Sequence, residues 1–121
     1  MEKSEKMKIA VASDNKITIS NHFGRALGFV IFEINDKRII GEIYRENVGK
    51  HSGECGSCDH GTMIKNIKDC EVVISYGMGR RIYADLIKNN IQPVVTDEKT
   101  VNEAVNKFIN NELKNRLDKL H

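Results

Sequence analysis

Two short runs of mostly apolar residues constrain the fold of this chain more than any other feature. The first, K-I-A-V-A-S, covers residues 8–13, and the second, E-V-V-I-S-Y, covers residues 71–76. A strand with one face in water alternates apolar and polar residues, whereas a strand covered on both faces is apolar throughout. Both runs are therefore predicted to be strands buried on both faces of a sheet.

The segments around these two runs complete a mixed α and β pattern. Residues 27–34 and 38–45 are rich in β-branched and aromatic residues, and Asn35-Asp36-Lys37 between them predicts a tight hairpin turn. The other predicted elements are a helix with Met63, Ile64, Ile67 and Cys70 on one face, a helix with Ile82, Tyr83, Leu86 and Ile87 on one face, a strand over 91–95 whose Pro93 suits an edge, and a helix opened by the capping box Thr100-Val-Asn-Glu103.

The element order βββαβαβα limits the topologies that the chain can adopt. Right-handed crossovers place the strand at 71–76 beside the first strand and the strand at 91–95 beyond it, and the hairpin takes the other side. The expected fold is a three-layer α/β ribonuclease H-like motif with a mixed five-stranded sheet in the order 3-2-1-4-5, in which only strand 2 is antiparallel. One domain is expected over residues 1–121, with a core at about 7–110 and a C-terminal helix extension at 111–121.

Composition excludes several classes of partner. A net charge of +2, from 19 basic and 17 acidic residues without a basic run, predicts no attraction to nucleic acid. Neither a membrane span nor a signal peptide is predicted, since no apolar stretch approaches about 20 residues. Three cysteines, an odd number, favour a reducing compartment over a disulfide framework, so the expected location is the cytoplasm.

The segment 51–61, H-S-G-E-C-G-S-C-D-H-G, is the strongest candidate for chemistry. Cys55 and Cys58 are spaced so that one tight turn can direct both sulfurs to one point, and His51 and His60 flank them. Thiolate and imidazole ligands suit zinc, iron or an iron–sulfur species. Four interpretations stay open, namely a closed zinc site, a redox pair, a loop with incidental thiols and an open, exchangeable metal or cluster site, of which the last is favoured.

Three loops are predicted to meet beyond the carboxyl ends of the parallel strands, where open α/β sheets bind ligands. The loop 14–25 contains His22 and Arg25, and the loop 77–80, G-M-G-R, precedes a helix N-terminus that favours an anion. Gly77, Met78 and Gly79 are candidate binding residues, with plain turn glycines and a gap-filling methionine as the alternatives. The third loop is 96–100. A nuclease is disfavoured, because no set of carboxylates is expected to converge at this edge.

Four segments together carry a family resemblance. The combination of M-K-I-A-V-A-S-D, S-N-H-F-G-R-A, D-C-E-V-V-I-S-Y-G-M-G and T-V-N-E-A-V resembles the dinitrogenase iron–molybdenum cofactor biosynthesis family over roughly residues 7–110. The resemblance implies an α/β domain with a ribonuclease H-like motif that binds or carries an iron–sulfur-containing cofactor or its precursor without catalysis. The cluster Cys55/Cys58/His60 belongs to only some members of the family.

The leading hypothesis is therefore a metallocluster-binding or carrier protein whose partners are cluster donor or acceptor proteins. Cys55 and Cys58 are the thiolate candidates, His22, His51 and His60 the imidazole candidates, and Arg25 with the amides near Gly77–Gly79 would stabilise negative charge. Two cysteines per chain also allow a cluster shared across a homodimer. The rival hypotheses are a thiol-redox or hydrolytic enzyme that uses the cysteine pair, and an interaction module built around a structural zinc.

Overall fold

A computed structural model describes residues 6–20, 26–46 and 64–113 of the protein. The elements follow in the order β1 (Lys6–Ser13), β2 (Gly28–Asn35), β3 (Arg38–Glu46), β4 (Val72–Ser75), α1 (Arg80–Lys88), β5 (Gln92–Val95) and α2 (Val101–Ile109). Residues 64–66, ahead of β4, are also helical and continue into turns at 67–69.

The five strands form one sheet in the order β3-β2-β1-β4-β5. The strand β2 runs antiparallel to β1 and β3, whereas β4 runs parallel to β1 and β5 parallel to β4. The predicted α/β class, strand order and orientations are confirmed. The label ribonuclease H-like stays a prediction.

Side chains on the two faces of the sheet pack into two separate cores. One face packs against the helical turn at 64–66 and α1, and the opposite face packs against α2, which gives three layers. The alternation along the central strands produces this division, since neighbouring residues point to opposite faces. In β1 the residues Ala10 and Ala12 belong to the first core, and Ile9 and Val11 belong to the second.

Local signals explain the element boundaries. The hairpin between β2 and β3 has Asp36 and Lys37 at φ values of 52° and 66°, the left-handed region that a two-residue turn requires. Asn35, predicted as part of the turn, instead closes β2 opposite Arg38. The capping box forms in part: the Thr100 hydroxyl accepts a hydrogen bond from the Glu103 amide at 3.3 Å, and it donates to the Glu103 carboxylate at 3.1 Å.

Some large apolar side chains of α1 and β3 are exposed and do not join the cores. Ile87 was expected on the inner face of its helix, but its side chain is 53% exposed, and Ile82 and Leu86 are the buried residues of α1. On β3 the side chains of Ile39, Ile40 and Ile43 are also exposed, because this strand lies at the edge of the sheet. A register shift between Glu33 and Ile34 interrupts the pairing of β2 with β3 at this place.

Candidate functional site

Three of the predicted site residues, Gly77, Met78 and Gly79, lie in the part of the chain that the structure describes. They form the turn between β4 and α1, at the carboxyl edge of the parallel strands. The others lie outside the described residues, namely His22, Arg25, His51, Cys55, Cys58 and His60. The described part of the candidate site therefore consists of the loops that follow β1, β4 and β5.

The loop after β1 is held in one shape by two side chains, Ser13 and Asn15. The Ser13 hydroxyl donates to the Thr18 carbonyl at 2.6 Å and accepts from the Lys16 amide at 2.9 Å. The Asn15 carboxamide oxygen accepts from the amides of Ile17 and Thr18 at 2.9 and 2.8 Å. These bonds stabilise the turn in which Lys16 has a φ of 71°.

The side chain of Tyr44, from β3, also supports the loop after β1. The Tyr44 hydroxyl donates to the Ser13 carbonyl at 3.2 Å, and the Lys16 ammonium lies 5.1 Å from the centre of the Tyr44 ring. The Tyr44 hydroxyl is a hydrogen-bond donor at neutral pH, because the usual pKa of a tyrosine is about 10 and burial raises it further. Gly28 makes room for this side chain, because a Cβ there would lie 2.5 Å from the Tyr44 ring and 2.6 Å from the Arg45 carbonyl oxygen.

In the turn after β4, Ser75, Gly77 and Met78 are buried, whereas Gly79 is partly exposed. The Ser75 hydroxyl donates to the Gly77 carbonyl at 2.5 Å and accepts from the Gly77 amide at 3.2 Å. The Met78 side chain is 1% exposed and belongs to the core against α1. Met78 therefore faces the edge through its backbone rather than its thioether, as expected of a gap-filling core methionine. Apart from its two chain neighbours, no atom of the described residues lies within 4 Å of a Cβ added at Gly79.

Gly79 is also the N-cap of α1, and this helix start carries no negative side chain. Among the described residues no side chain caps the α1 N-terminus, its first turn contains no acidic residue, and Arg80 and Arg81 are exposed there. Uncapped amides and the helix dipole give the N-terminus a partial positive charge. The turn 77–79 is thus suited electrostatically to an anionic group.

Backbone hydrogen bonds join the loops after β1, β4 and β5 into one surface. The Ile19 amide donates to the Lys99 carbonyl at 2.9 Å, and the Tyr76 amide donates to the Ser20 carbonyl at 3.3 Å. Thr18 and Thr100 form an isolated antiparallel bridge. The predicted convergence of the three loops is thereby confirmed for their described parts.

A cleft of about 420 Å³ opens between these loops, with Lys99 contributing a cation to its wall. Its lining consists of Asp14, Asn15, Thr18, Ile19, Ser20, Tyr76 and Lys99. Only part of the Asp14 carboxylate is available to a ligand, because one of its oxygens accepts a hydrogen bond from the Leu27 amide at 2.8 Å. Among the described residues, no group of three His, Cys, Asp or Glu side chains could hold a metal ion.

A salt-bridge network, rather than an open set of ligands, joins the first half of β1 and the end of β3 to the turn before β4. The Arg45 guanidinium contacts both Asp69 carboxylate oxygens at 2.8 and 3.0 Å, and the Lys8 ammonium contacts Asp69 at 3.1 Å. The Arg45 hydrogen bonds, followed by those of Lys8, hold the pKa of Asp69 well below its usual range. Asp69 thereby ties β1 and β3 to the turn before β4.

Cys70 was predicted as a small core residue, and this prediction is confirmed. Its side chain is 2% exposed and packs with Ile64 and Ile67. Burial, with the negative charge of Asp69, raises the pKa of the Cys70 thiol to about 12. The thiol is therefore protonated at neutral pH and is a poor nucleophile or metal ligand.

The sequence reasoning missed the hydroxyl residues that shape the edge. Ser13 and Ser75 were predicted only as members of the apolar runs and Thr96 only as the start of a loop, although each is fully buried. A signal was available, because S-D, S-Y and T-D follow the apolar residues of the three parallel strands at the same place. A serine or threonine at that place can bond to the backbone two residues on.

Solved structures share this architecture. A crystal structure of the protein PH0822 has a TM-score of 0.74 and 27% sequence identity, covering 93% of this chain and 96% of that one. The protein MJ0327 from Methanocaldococcus jannaschii has a TM-score of 0.71 at 22% identity, covering 91% and 94%. The apo form of the orange protein from Desulfovibrio gigas has a TM-score of 0.75 at 20% identity, covering 95% and 97%. The last two likenesses concern the fold alone.

Sequence comparison identifies the family. Among curated proteins, none matches the chain. The family model described as dinitrogenase iron–molybdenum cofactor matches residues 5–111, which include all five strands, both helices and the three loops at the carboxyl edge. The chain is a member of the dinitrogenase iron–molybdenum cofactor family.

Proposed function

We propose that the protein binds and carries a metallocluster as cargo, an iron–sulfur or iron–molybdenum species or a precursor, and catalyses no reaction on it. The observation that carries this proposal is the family match over residues 5–111. The match links the chain to the cofactor through its whole framework rather than through one short motif. The cofactor-biosynthesis proteins that donate or accept the cluster are the proposed partners.

The proposed ligands are the thiolates of Cys55 and Cys58, with His22, His51 or His60 as imidazole ligands. Soft thiolate ligands favour iron–sulfur species, and imidazole suits iron as well. A carrier needs few ligands, because a cluster that is fully enclosed by protein cannot be passed on. Two thiols and a histidine meet that requirement better than four thiols do.

The charges at the carboxyl edge support an anionic cargo. Thiolate-ligated clusters carry negative charge, and the α1 N-terminus at Gly79 offers amides that no side chain of the described residues caps. Arg80 and Arg81 add positive charge in the first turn of α1, whereas the cleft is lined by one cation, Lys99, and one carboxylate, Asp14. Arg25 is proposed to contribute a further cation. In this proposal Gly77, Met78 and Gly79 act through their backbone groups.

The proposed setting is the cytoplasm, where cysteines stay reduced. Within the described ranges, no helix is long and apolar enough to cross a membrane. A homodimer that shares one cluster through the cysteine pairs of two chains is a further proposal, and it predicts one cluster for every two chains.

Replacing both Cys55 and Cys58 by serine tests the proposal. After anaerobic reconstitution with iron and sulfide, the double variant is expected to lose the bound iron, while its melting temperature stays near that of the wild type. The reason is a separation of roles, since the described cores consist mainly of large apolar side chains and the sequence of segment 51–61 contains none. A structural zinc behaves differently, because its binding free energy is part of the folding free energy.

Cys70→Ala is the matched control. It also removes one thiol, but from the core against the helical turn, so it is expected to lower the melting temperature and to leave the iron content unchanged. Unchanged iron in the Cys55/Cys58 double variant would contradict the ligand assignment. Loss of metal together with loss of the fold would instead favour a structural-zinc module.

A further inference from the structure

The three parallel strands that end at the carboxyl edge share one feature that the family match does not explain. Each of β1, β4 and β5 runs into a hydroxyl residue, and these residues, Ser13, Ser75 and Thr96, are all 0% exposed. Buried hydroxyls need hydrogen-bond partners. Here each finds them in the backbone of the loop that follows its own strand.

The bonds repeat the same pattern on each strand. Ser13 accepts from the amide of Lys16 at 2.9 Å, Ser75 from that of Gly77 at 3.2 Å, and Thr96 from that of Glu98 at 3.1 Å. In each case the side chain holds a backbone amide two or three residues further along. The first turn of each of these three loops is therefore held by a buried hydroxyl group.

The three anchoring points are also connected to one another. The Thr96 amide donates to the Ser75 carbonyl at 2.9 Å, and the Tyr76 amide, next to Ser75, donates to the Ser20 carbonyl at 3.3 Å. A change at one anchor therefore reaches the neighbouring loop through a single hydrogen bond. The described loops form a surface with a defined shape.

From this arrangement we infer that Ser13, Ser75 and Thr96 are positioning residues for the cargo site, an inference that rests on the proposed function. They hold the loop backbones so that the amides at the α1 N-terminus and the wall of the cleft are already in place before the cargo binds. Preorganised groups bind more tightly because less conformational entropy is lost on binding. None of the three hydroxyls contacts the cargo itself, since all are buried.

The test compares Ser75→Ala and Thr96→Val with their conservative counterparts Ser75→Thr and Thr96→Ser. Thr96→Val keeps the shape of the side chain and removes only the hydroxyl. Ile9→Val, a buried change at the opposite end of β1, is the control for stability. Removing a hydroxyl should raise the hydrogen-exchange rate of the Gly77 or Glu98 amide about tenfold, the effect of losing one hydrogen bond.

The second readout is affinity for the cluster reconstituted anaerobically from iron and sulfide. The hydroxyl-free variants should bind it about tenfold more weakly than wild type, and the conservative variants should recover affinity. Ile9→Val should keep wild-type affinity although its melting temperature falls. A purely structural role would lower affinity only in step with stability, so equal affinity in Ser75→Ala and Ile9→Val overturns the inference.

The two failures are distinguishable. If wild type binds the cluster and Ser75→Ala and Thr96→Val bind it equally well, the positioning role is wrong and the proposed function stands. If wild type takes up no cluster, the proposed function is wrong and the positioning role falls with it. Unchanged exchange at Gly77 and Glu98 in the variants also overturns the positioning role.

Discussion

At the scale of single residues, burial separates side chains that can meet a ligand from those that build the core. Met78 and Cys70 both carry sulfur and both lie next to segments of chemical interest, yet they are 1% and 2% exposed. Their sulfurs contribute packing in the same core cluster. Ligand chemistry is left to residues that a bound group can reach.

Met78 gives a direct test of this division. Met78→Leu conserves volume and is expected to change the free energy of unfolding by less than about 1.5 kcal/mol and to leave cluster uptake unchanged. Met78→Ala leaves a cavity and should cost about 2–5 kcal/mol. Denaturant unfolding and iron content are the measurements. A folded Met78→Leu variant without bound iron would show that the thioether is a ligand after all.

Asp69 predicts a pH dependence of stability. Its pKa is lower in the folded protein than the usual value of about 3.9, so its stabilising effect is complete above that value and is lost as the pH falls through the folded pKa. Asp69→Asn should therefore lower stability by about 1 kcal/mol at pH 7, a figure reduced for screening because the side chain is 44% exposed.

The pH profile distinguishes this prediction from a general effect of substitution. The difference in melting temperature between wild type and Asp69→Asn should be constant from about pH 7 to 5 and should shrink below about pH 4. Glu42→Gln, an exposed change on β3 outside any ion pair of the described residues, should show no such difference. A difference in melting temperature that persists at low pH would show that the substitution acts through packing and not through the charge of Asp69.

At the scale of elements, the hairpin β2–β3 shows how far the sequence predicts structure. Alternation and the turn residues predict both strands within about one residue, because these signals are local. The support that β3 gives to the loop after β1 is not local. Tyr44 reaches Ser13 only because Gly28 lies between them without a side chain, and no spacing in the sequence indicates that contact.

Gly28→Ala tests the contact between these elements. The added Cβ would lie 2.6 Å from the Arg45 carbonyl oxygen, which is backbone and cannot move without disturbing the pairing of β2 with β3. A loss of about 1–3 kcal/mol is expected from such overpacking, measured by denaturant unfolding. Gly41→Ala, in the same pair of strands, is the matched control, because the nearest atom to its added Cβ is the movable end of the Glu33 side chain, at 3.0 Å, and not backbone. Equal losses in the two variants would contradict the account of Gly28.

Helix α1 shows how far the spacing of apolar residues predicts which side chains are buried. Ile82, Leu86 and Ile87 fit one apolar face in the sequence, but only the first two reach the core, and Ile87 is 53% exposed. The apolar spacing fixes the centre of a buried face better than its margins, since the width of that face depends on what packs against it. The uncapped start of α1 is likewise visible only in the fold, where it lies at the carboxyl edge.

At the scale of the whole molecule, the sheet order brings three loops to one edge, and a salt-bridge network ties the first half of β1 and the end of β3 to the turn before β4. The order follows from the element sequence and crossover handedness, so the location of the candidate site was predictable. The shape of the site was not, because it depends on side chain to backbone bonds made by Ser13, Asn15 and Ser75. The predicted ligands His22, Cys55 and Cys58 lie outside the described residues.

The visible absorption spectrum of the wild-type chain after anaerobic reconstitution with iron and sulfide tests the central claim most directly. A metallocluster carrier is expected to show thiolate-to-iron charge-transfer bands that disappear when a strong iron chelator is added, while the fold is retained, because the cargo is exchangeable. A colourless chain after reconstitution, or one that holds only zinc, would contradict the claim that the protein carries a metallocluster.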